Sequence, residues 1–486
     1  MRSGLKRPGG LGRGRDGREG GRRKVEMLNL QPFATIQPAG CRTFMSRLMR
    51  KVTSARRDFG SFHSSNVQEL LGAIKAGNYV PPTLPFELPK FLYHNGSIPR
   101  FGQWMRKKHF LLEEETIFIN HGAFGSTLKD ALDVAQKWQL YIERQPLRFY
   151  DRELLPHLVF ITKRLAEFVG CSPMDLVLVP NVTMAMNIIV RSQDLKVGDT
   201  VFMLNVTYGA VKKLLRQVCE EQGATLQEES LEFPLSGPGQ IIKKVEDTLQ
   251  PGTKLAVFDH IPSNASFINP LEEIINICRQ RGTKVLIDGA HALGVMDLKL
   301  SSLDADYYAS NCHKWFCSPK GCAFLYVKPE LQNSLRPLVI SHGFGFGFSS
   351  EYIWTGLKDY TAILALHTVL DFWESVGVQR IQGYIKDLMS QAVDLLVNRW
   401  KTGLLAQRGM FGSMACVRLP ECLLKDNYAN YEHAEIIQNV LYSQYNIEVP
   451  IKALGGRLYV RISIHIYNEL KQYQKLADAI EEIALK

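Results

Sequence analysis

The sequence predicts an α/β fold built on an open, mostly parallel sheet and divided into at least two domains. Three observations predict it. Val285-Leu286-Ile287 is a short apolar, β-branched run that stops at Asp288-Gly289, the pattern of a buried parallel strand running into a loop. Two further apolar runs follow, 305–309 and 322–327, separated in part by the turn signal Ser318-Pro319-Lys320-Gly321. The chain's 486 residues also exceed what one ordinary core organises. In such sheets ligands sit beyond the carboxyl ends of the strands, which makes Asp288 a candidate functional carboxylate.

Composition bounds the partners. Hydrophobic residues make up 45% and charged residues 22%, the balance of a soluble globular protein. No stretch reaches the roughly 18 to 20 uninterrupted apolar residues that a membrane span requires. The net charge of +10 sits on a leader: residues 1–57 carry 15 Lys/Arg against 3 Asp/Glu, and the remainder carries 43 against 45. A nucleic-acid-binding body would carry its positive charge on the folded part, so no nucleic acid is expected. Nine cysteines, an odd number without short-chain disulfide spacing, indicate reduced thiols in an intracellular compartment. Cys312, Cys317 and Cys322 are evenly spaced but lack a second paired Cys/His group, so no metal is expected.

Taken in order, residues 1–26 are Gly/Arg-rich with too few apolar groups to fold. The leader as a whole spans 1–65. Within it, Ser46 to Val52 has the pattern of a short basic amphipathic helix, which suits a mitochondrial transit peptide or, equally, a plain basic tail in a cytoplasmic protein. Residues 66–125 read as an arm: a helix, a Pro-rich connection, then Asn120-His121-Gly122. A strand at 175–179 precedes Asn181-Val182-Thr183, where a helix start would offer unpaired amides to a phosphate or simply carry an Asn cap. A strand at 200–204 leads to Tyr208-Gly209-Ala210, and one at 255–258 to Asp259-His260-Ile261-Pro262-Ser263. Residues 341–350 hold a Gly/Phe loop. Helical spacing runs from 360 to about 399, and a smaller α+β part follows, with strands near 412–418 and 458–464 and a helix over 469–484.

The chemistry comes from a pair. Asp288 stands 26 positions before Lys314, in Asn311-Cys312-His313-Lys314-Trp315. Pyridoxal 5'-phosphate needs a lysine for its Schiff base and an acid that keeps its ring nitrogen protonated, so that the ring becomes an electron sink. Alone, the Asp would be a cap or turn residue and the Lys a solvated charge. Together, in this context, they favour the cofactor.

Asp288-Gly289-Ala290-His291 and His313-Lys314-Trp315 followed by Pro319-Lys320-Gly321 resemble class V of the fold-type I pyridoxal-phosphate enzymes, and within it the isopenicillin N epimerase-like and cysteine desulfhydrase-like branch, from about Phe118 onward. The resemblance implies a large cofactor-binding domain, 126–358, with a mostly parallel seven-stranded sheet, and a small C-terminal α+β domain, 359–486. It places Lys314 in an aldimine and as the base at Cα, Asp288 on the ring nitrogen and His291 near the phenolic oxygen. It places Val182, Thr183, Asn311 and His313 at the phosphate, Tyr208 against the ring, and His260 and Ser263 on its substrate side. Arg461 would hold the substrate carboxylate, which a guanidinium fork suits, with Asn120 and His121 lining the pocket. A homodimer with shared sites is implied, although Leu357 stands where many relatives carry the Thr that reaches the neighbour's phosphate.

The expected activity is α,β-elimination from an amino acid, with a cysteine derivative as the candidate substrate in the sense of a C–S lyase and amino-acid epimerisation or a non-catalytic scaffold as alternatives. Persulfide-forming desulfurase chemistry is disfavoured, since residues 446–461 contain no Cys while Cys416 and Cys422 precede them.

Overall fold

Most strands appear where apolar runs end in polar or Gly-containing loops, the polar edge strand at 225–229 being an exception. In chain order they are β1 (Ile117–Phe118), β2 (Leu176–Val179), β3 (Thr200–Leu204), β4 (Thr225–Glu229), β5 (Leu255–Asp259), β6 (Lys284–Asp288), β7 (Tyr307–Asn311), β8 (Ala323–Val327), β9 (Met414–Arg418), β10 (Ile447–Glu448), β11 (Ile451–Leu454) and β12 (Arg457–Ser463). They are seen in a computed structural model that describes residues 67–73, 80–93, 99–424 and 429–485. The leader, 1–65, and its expected basic helix lie outside the described residues.

Seven strands form one sheet in the order β2-β8-β7-β6-β5-β3-β4. Only β8 runs against its neighbours; the β7, β6, β5, β3 and β4 ladders are parallel. This is the α/β architecture expected, with seven strands. Alternate side chains feed two cores, one on each face. Phe202, Phe258, Ile287, Tyr308 and Phe324 belong to the larger core, and Met203, Val257, Leu286, Tyr307 and Leu325 to the second. Burial on both faces explains why these strands read as continuous apolar runs rather than alternating ones.

The strand expected at 305–309 begins two residues later. Asp304 takes a left-handed conformation, φ 60°, at the end of the helix Leu300–Leu303, and the Asp306 carboxylate accepts the Val285 amide at 2.7 Å. Two acids the apolar count ignored thus set where β7 starts.

C-terminal strands form a second, antiparallel sheet in the order β11-β12-β9. The long helix Val378–Trp400 and the last helix, Leu470–Leu485, pack against each other. β1 pairs in parallel with β10, Ile117 opposite Ile447 and Phe118 opposite Glu448. That two-residue ladder carries the Asn120 loop to the C-terminal sheet. Among the described residues no helix is long and apolar enough to cross a membrane.

Candidate active site

Three adjacent parallel strands end in polar residues: β7 in Asn311, β6 in Asp288 and β5 in Asp259. Asp259 and Asp288 are direct register partners, so two carboxylates lie side by side at the strand ends. Both are buried, which disfavours their charge. Burial, then the neighbouring Asp288 charge, pushes the Asp259 carboxyl well above the usual carboxylate range, and its Oδ2 has no hydrogen-bond partner. Burial also raises Asp288, against the Ala290 amide at 2.9 Å and the Lys314 charge, which favour its ionised form.

These residues floor a cavity of about 200 Å³ that Lys314, His291, Asn311, Thr183, Tyr208, Ser263, His313 and Lys320 also line. Lys314 follows β7 across a tight turn. Gly125, with φ +70°, lies against it: a Cβ there would come within 2.5 Å of the His313 carbonyl oxygen. Burial lowers the Lys314 pKa to about 8, with Asp288 opposing and Arg461 assisting. Its Nζ stands 3.2 Å from His291 Nε2. Burial also holds His291 well below the ordinary histidine range, with the Lys314 charge next in effect. The arrangement is a neutral imidazole beside a part-neutral amine, facing two carboxyls at the floor of a cavity. A partly neutral amine here can attack a carbonyl or carry a proton.

Arg461 comes from β12 and is fully buried. Its Nη1 donates to the Ser263 carbonyl at 2.6 Å and lies 3.3 Å from Ser263 Oγ, while Nη2 donates to Asn120 Oδ1 at 2.8 Å. Asn120 in turn donates to Glu448 Oε1 at 3.0 Å. Among the described residues no carboxylate forms an ion pair with Arg461, and its Nε has no partner. Burial lowers its pKa to about 10. A buried cation held only by neutral acceptors is prepared for an anion from outside the protein.

The remaining expected residues divide. Tyr208 caps the helix Gly209–Gln222 and lines the cavity, part-exposed. The Val182 amide is already taken by Asn311 Oδ1 at 3.1 Å, so the two phosphate candidates Val182 and Asn311 satisfy each other. The Met184 amide goes to Asn181 Oδ1 at 2.9 Å. Thr183 is the remaining donor at that helix start. His313 lines the cavity while its Nδ1 meets the Cys322 carbonyl oxygen at 2.9 Å. His260 does not line the cavity: it turns to the Tyr308 hydroxyl, 2.8 Å from Nδ1. His121 also faces away, its ring nitrogens meeting the Tyr467 hydroxyl at 2.7 Å and the Lys314 carbonyl oxygen at 3.1 Å. It supports the lysine backbone from behind. Leu357 is exposed, and Thr355 accepts from Lys358 at 3.2 Å.

Sequence reasoning passed over Asp259 and Lys320. Asp259 had a signal, because it ends an apolar run just as Asp288 does. His121, Cys317 and His465 bring three potential metal-ligating atoms within 4.8 Å of one another. The two imidazoles stack, with centroids 4.3 Å apart and 23° between planes, and ring nitrogens of both are engaged within the protein, His121 with the Tyr467 hydroxyl and the Lys314 carbonyl and His465 Nε2 with the Trp315 carbonyl.

The family described as Aminotransferase class-V matches residues 160–476. An L-cysteine desulfhydrase of Arabidopsis thaliana is 32% identical over 409 residues, covering 75% of this chain and 87% of its own. An isopenicillin N epimerase of Amycolatopsis lactamdurans is 28% identical over 361 residues, covering 70% and 88%. Among solved structures, a cysteine desulfurase from Thermococcus onnurineus superimposes with a TM-score of 0.67 at 18% identity, over 80% of this chain and 99% of that one. The cystine C–S lyase C-DES, in complex with cysteine persulfide, does so at 0.65 and 19%, over 76% and 97%.

Proposed function

This chain belongs to the class-V aminotransferase family, and from that premise we propose that it is a pyridoxal-phosphate enzyme that eliminates sulfide from L-cysteine or a related amino acid. The net reaction is L-cysteine and water to pyruvate, hydrogen sulfide and ammonia. The observation that carries the reading is Lys314, buried and part-neutral, facing the Asp259–Asp288 pair in a cavity beyond which Arg461 has no carboxylate partner among the described residues.

The residues present fit the cofactor. An unpartnered, buried Asp259 Oδ2 and the Asp288 carboxyl suit a ring nitrogen that must keep its proton. Lys314 suits an aldehyde, Tyr208 an aromatic face, and Thr183 with Lys320 and His313 an anionic group. When bound, pyridoxal phosphate supplies an electron sink for charge developing at Cα.

The chain's own groups do the rest. Arg461 holds the substrate carboxylate with its fork, and the Asn120–Glu448 relay orients that fork. Lys314 takes the proton from Cα, its amine kept available by burial. Elimination then needs no second acid on the opposite face, whereas epimerisation does. Cys416 is buried with its thiol on the Asn264 carbonyl at 3.4 Å, which suits packing rather than persulfide relay.

We infer also a division into a cofactor-binding body, 126–358, and a smaller part, 359–486, together with a homodimer. Exposed Phe124, at the end of a one-turn helix, and Ile340, Phe344 and Leu357, outside the helices and strands, support the dimer, being large apolar groups that a second copy would cover.

The test is to incubate full-length protein, reconstituted with pyridoxal phosphate, with L-cysteine. Sulfide and pyruvate should appear in equal amounts. D-cysteine without pyruvate would replace this reading with epimerisation.

A further inference from the structure

Trp315 lies directly behind Lys314 in the chain and is fully buried, its ring parallel to that of His465, with 16° between planes at 6.1 Å. An indole has one polar atom, an N–H that only donates. That N–H points at Nδ1 of His291, 3.1 Å away. The other nitrogen of the same imidazole, Nε2, stands 3.2 Å from Lys314 Nζ. A neutral imidazole has one donor and one acceptor, so an occupied acceptor at Nδ1 leaves the proton on Nε2.

We propose that Trp315 is a positioning residue that locks His291 as its Nε2–H tautomer, so that the imidazole presents only a donor to the Lys314 nitrogen. An ammonium at Lys314 would turn N–H against N–H. A neutral amine accepts the bond. The lock therefore adds to burial in weakening the lysine nitrogen's hold on a proton, and it makes a histidine act as a one-way donor. The other groups around the pair are accounted for. Asp288 and Asp259 favour a charged lysine and Arg461 opposes it, while Lys314, Arg461 and His121 all oppose charge on His291. None of these supplies Nδ1 with a competing donor among the hydrogen bonds of the described residues; Trp315 does.

The inference rests on the proposed cofactor only for one arm of its test. The first arm is nitrogen NMR of full-length protein labelled at histidine, with the His291 resonances assigned by His291→Gln. Wild type should show an unprotonated Nδ1 and a protonated Nε2 from neutral to mildly alkaline pH; a protonated Nδ1 overturns the proposal. The second arm follows the visible absorption band of the pyridoxal-phosphate-loaded protein against pH. Loss of one neutral hydrogen bond moves a pKa by roughly half to one unit, so Trp315→Phe should move the band's midpoint up by about that amount. An amide has no tautomers, so Trp315→Phe in a His291→Gln background should leave the midpoint where His291→Gln alone puts it. Equal shifts in both backgrounds would make Trp315 a packing residue and overturn the proposal. A protein that takes up no pyridoxal phosphate defeats the proposed function and leaves the nitrogen resonances to decide this inference.

Discussion

Replacing Arg461 by Met separates what the guanidinium does for the fold from what it does for a substrate. The side chain is fully buried and makes three contacts, to the Ser263 carbonyl, Ser263 Oγ and Asn120 Oδ1, with no ion pair among the described residues. Removing it strands two principal acceptors, each at a cost of about 1–3 kcal/mol, and relieves the burial of an unpaired charge, a penalty of several kcal/mol in its own right. The two offset each other, so Arg461→Met should change unfolding free energy by no more than ~2 kcal/mol, a few degrees in Tm. A substrate carboxylate on the same fork would gain two charge-assisted hydrogen bonds of about 1.5–3 kcal/mol each. Their loss lowers kcat/KM by roughly 10²- to 10⁴-fold. Thermal unfolding and steady-state sulfide release from L-cysteine measure the two quantities, and L-cysteine ethyl ester, which lacks the carboxylate, should lose little between wild type and variant. A large fall in Tm with kcat/KM reduced less than about tenfold would show that Arg461 is a structural cation and refute the reasoning.

Three further outcomes follow from the same geometry. Lys314→Ala should bind pyridoxal phosphate reversibly, with no borohydride-fixable adduct by mass spectrometry and elimination below detection; a fixed adduct in this variant would locate the reactive lysine elsewhere. Asp259 has its folded pKa raised, so its contribution is present at low pH and is lost as pH rises through the folded value. Asp259→Asn should thus melt higher than wild type in the cofactor-free protein at mildly alkaline pH, with the gap closing toward acid pH, and a gap that widens toward acid would reverse the assignment. Gly125→Ala forces a positive φ on an L-residue and drives a Cβ to 2.5 Å from the His313 carbonyl oxygen and 2.8 Å from Lys314 Cα. It should cost about 3 kcal/mol or more, seen as a lowered Tm and loss of the visible cofactor band. Wild-type values for both would show that the loop accommodates the methyl group.

Which parts of this protein were readable from the sequence depends on whether a residue's role is set by neighbours in the chain or across space. The strands β5 to β8 were readable because burial on both faces leaves unbroken apolar runs, and Asp288 stood out because it ends one. Lys314 and His291 were readable through motif spacing. The Arg461 fork was expected from resemblance, but its relay through Asn120 to Glu448 depends on the two-residue pairing of β1 with β10, a contact between segments 330 positions apart that no local pattern encodes. His121 and His260 show the opposite failure. His260 sits in a loop and His121 opens a one-turn helix, and neither local sequence says which way a ring turns; Tyr308 and Tyr467 hydroxyls, placed by other elements, decide it. Asp259 is the instructive omission. The rule that selected Asp288 applied to it unchanged, and what makes it matter, its register opposite Asp288, follows from strand order in the sheet. Two buried carboxyls side by side cannot both ionise cheaply. The fold therefore stores a proton at the strand ends, where a basic ring nitrogen would be held.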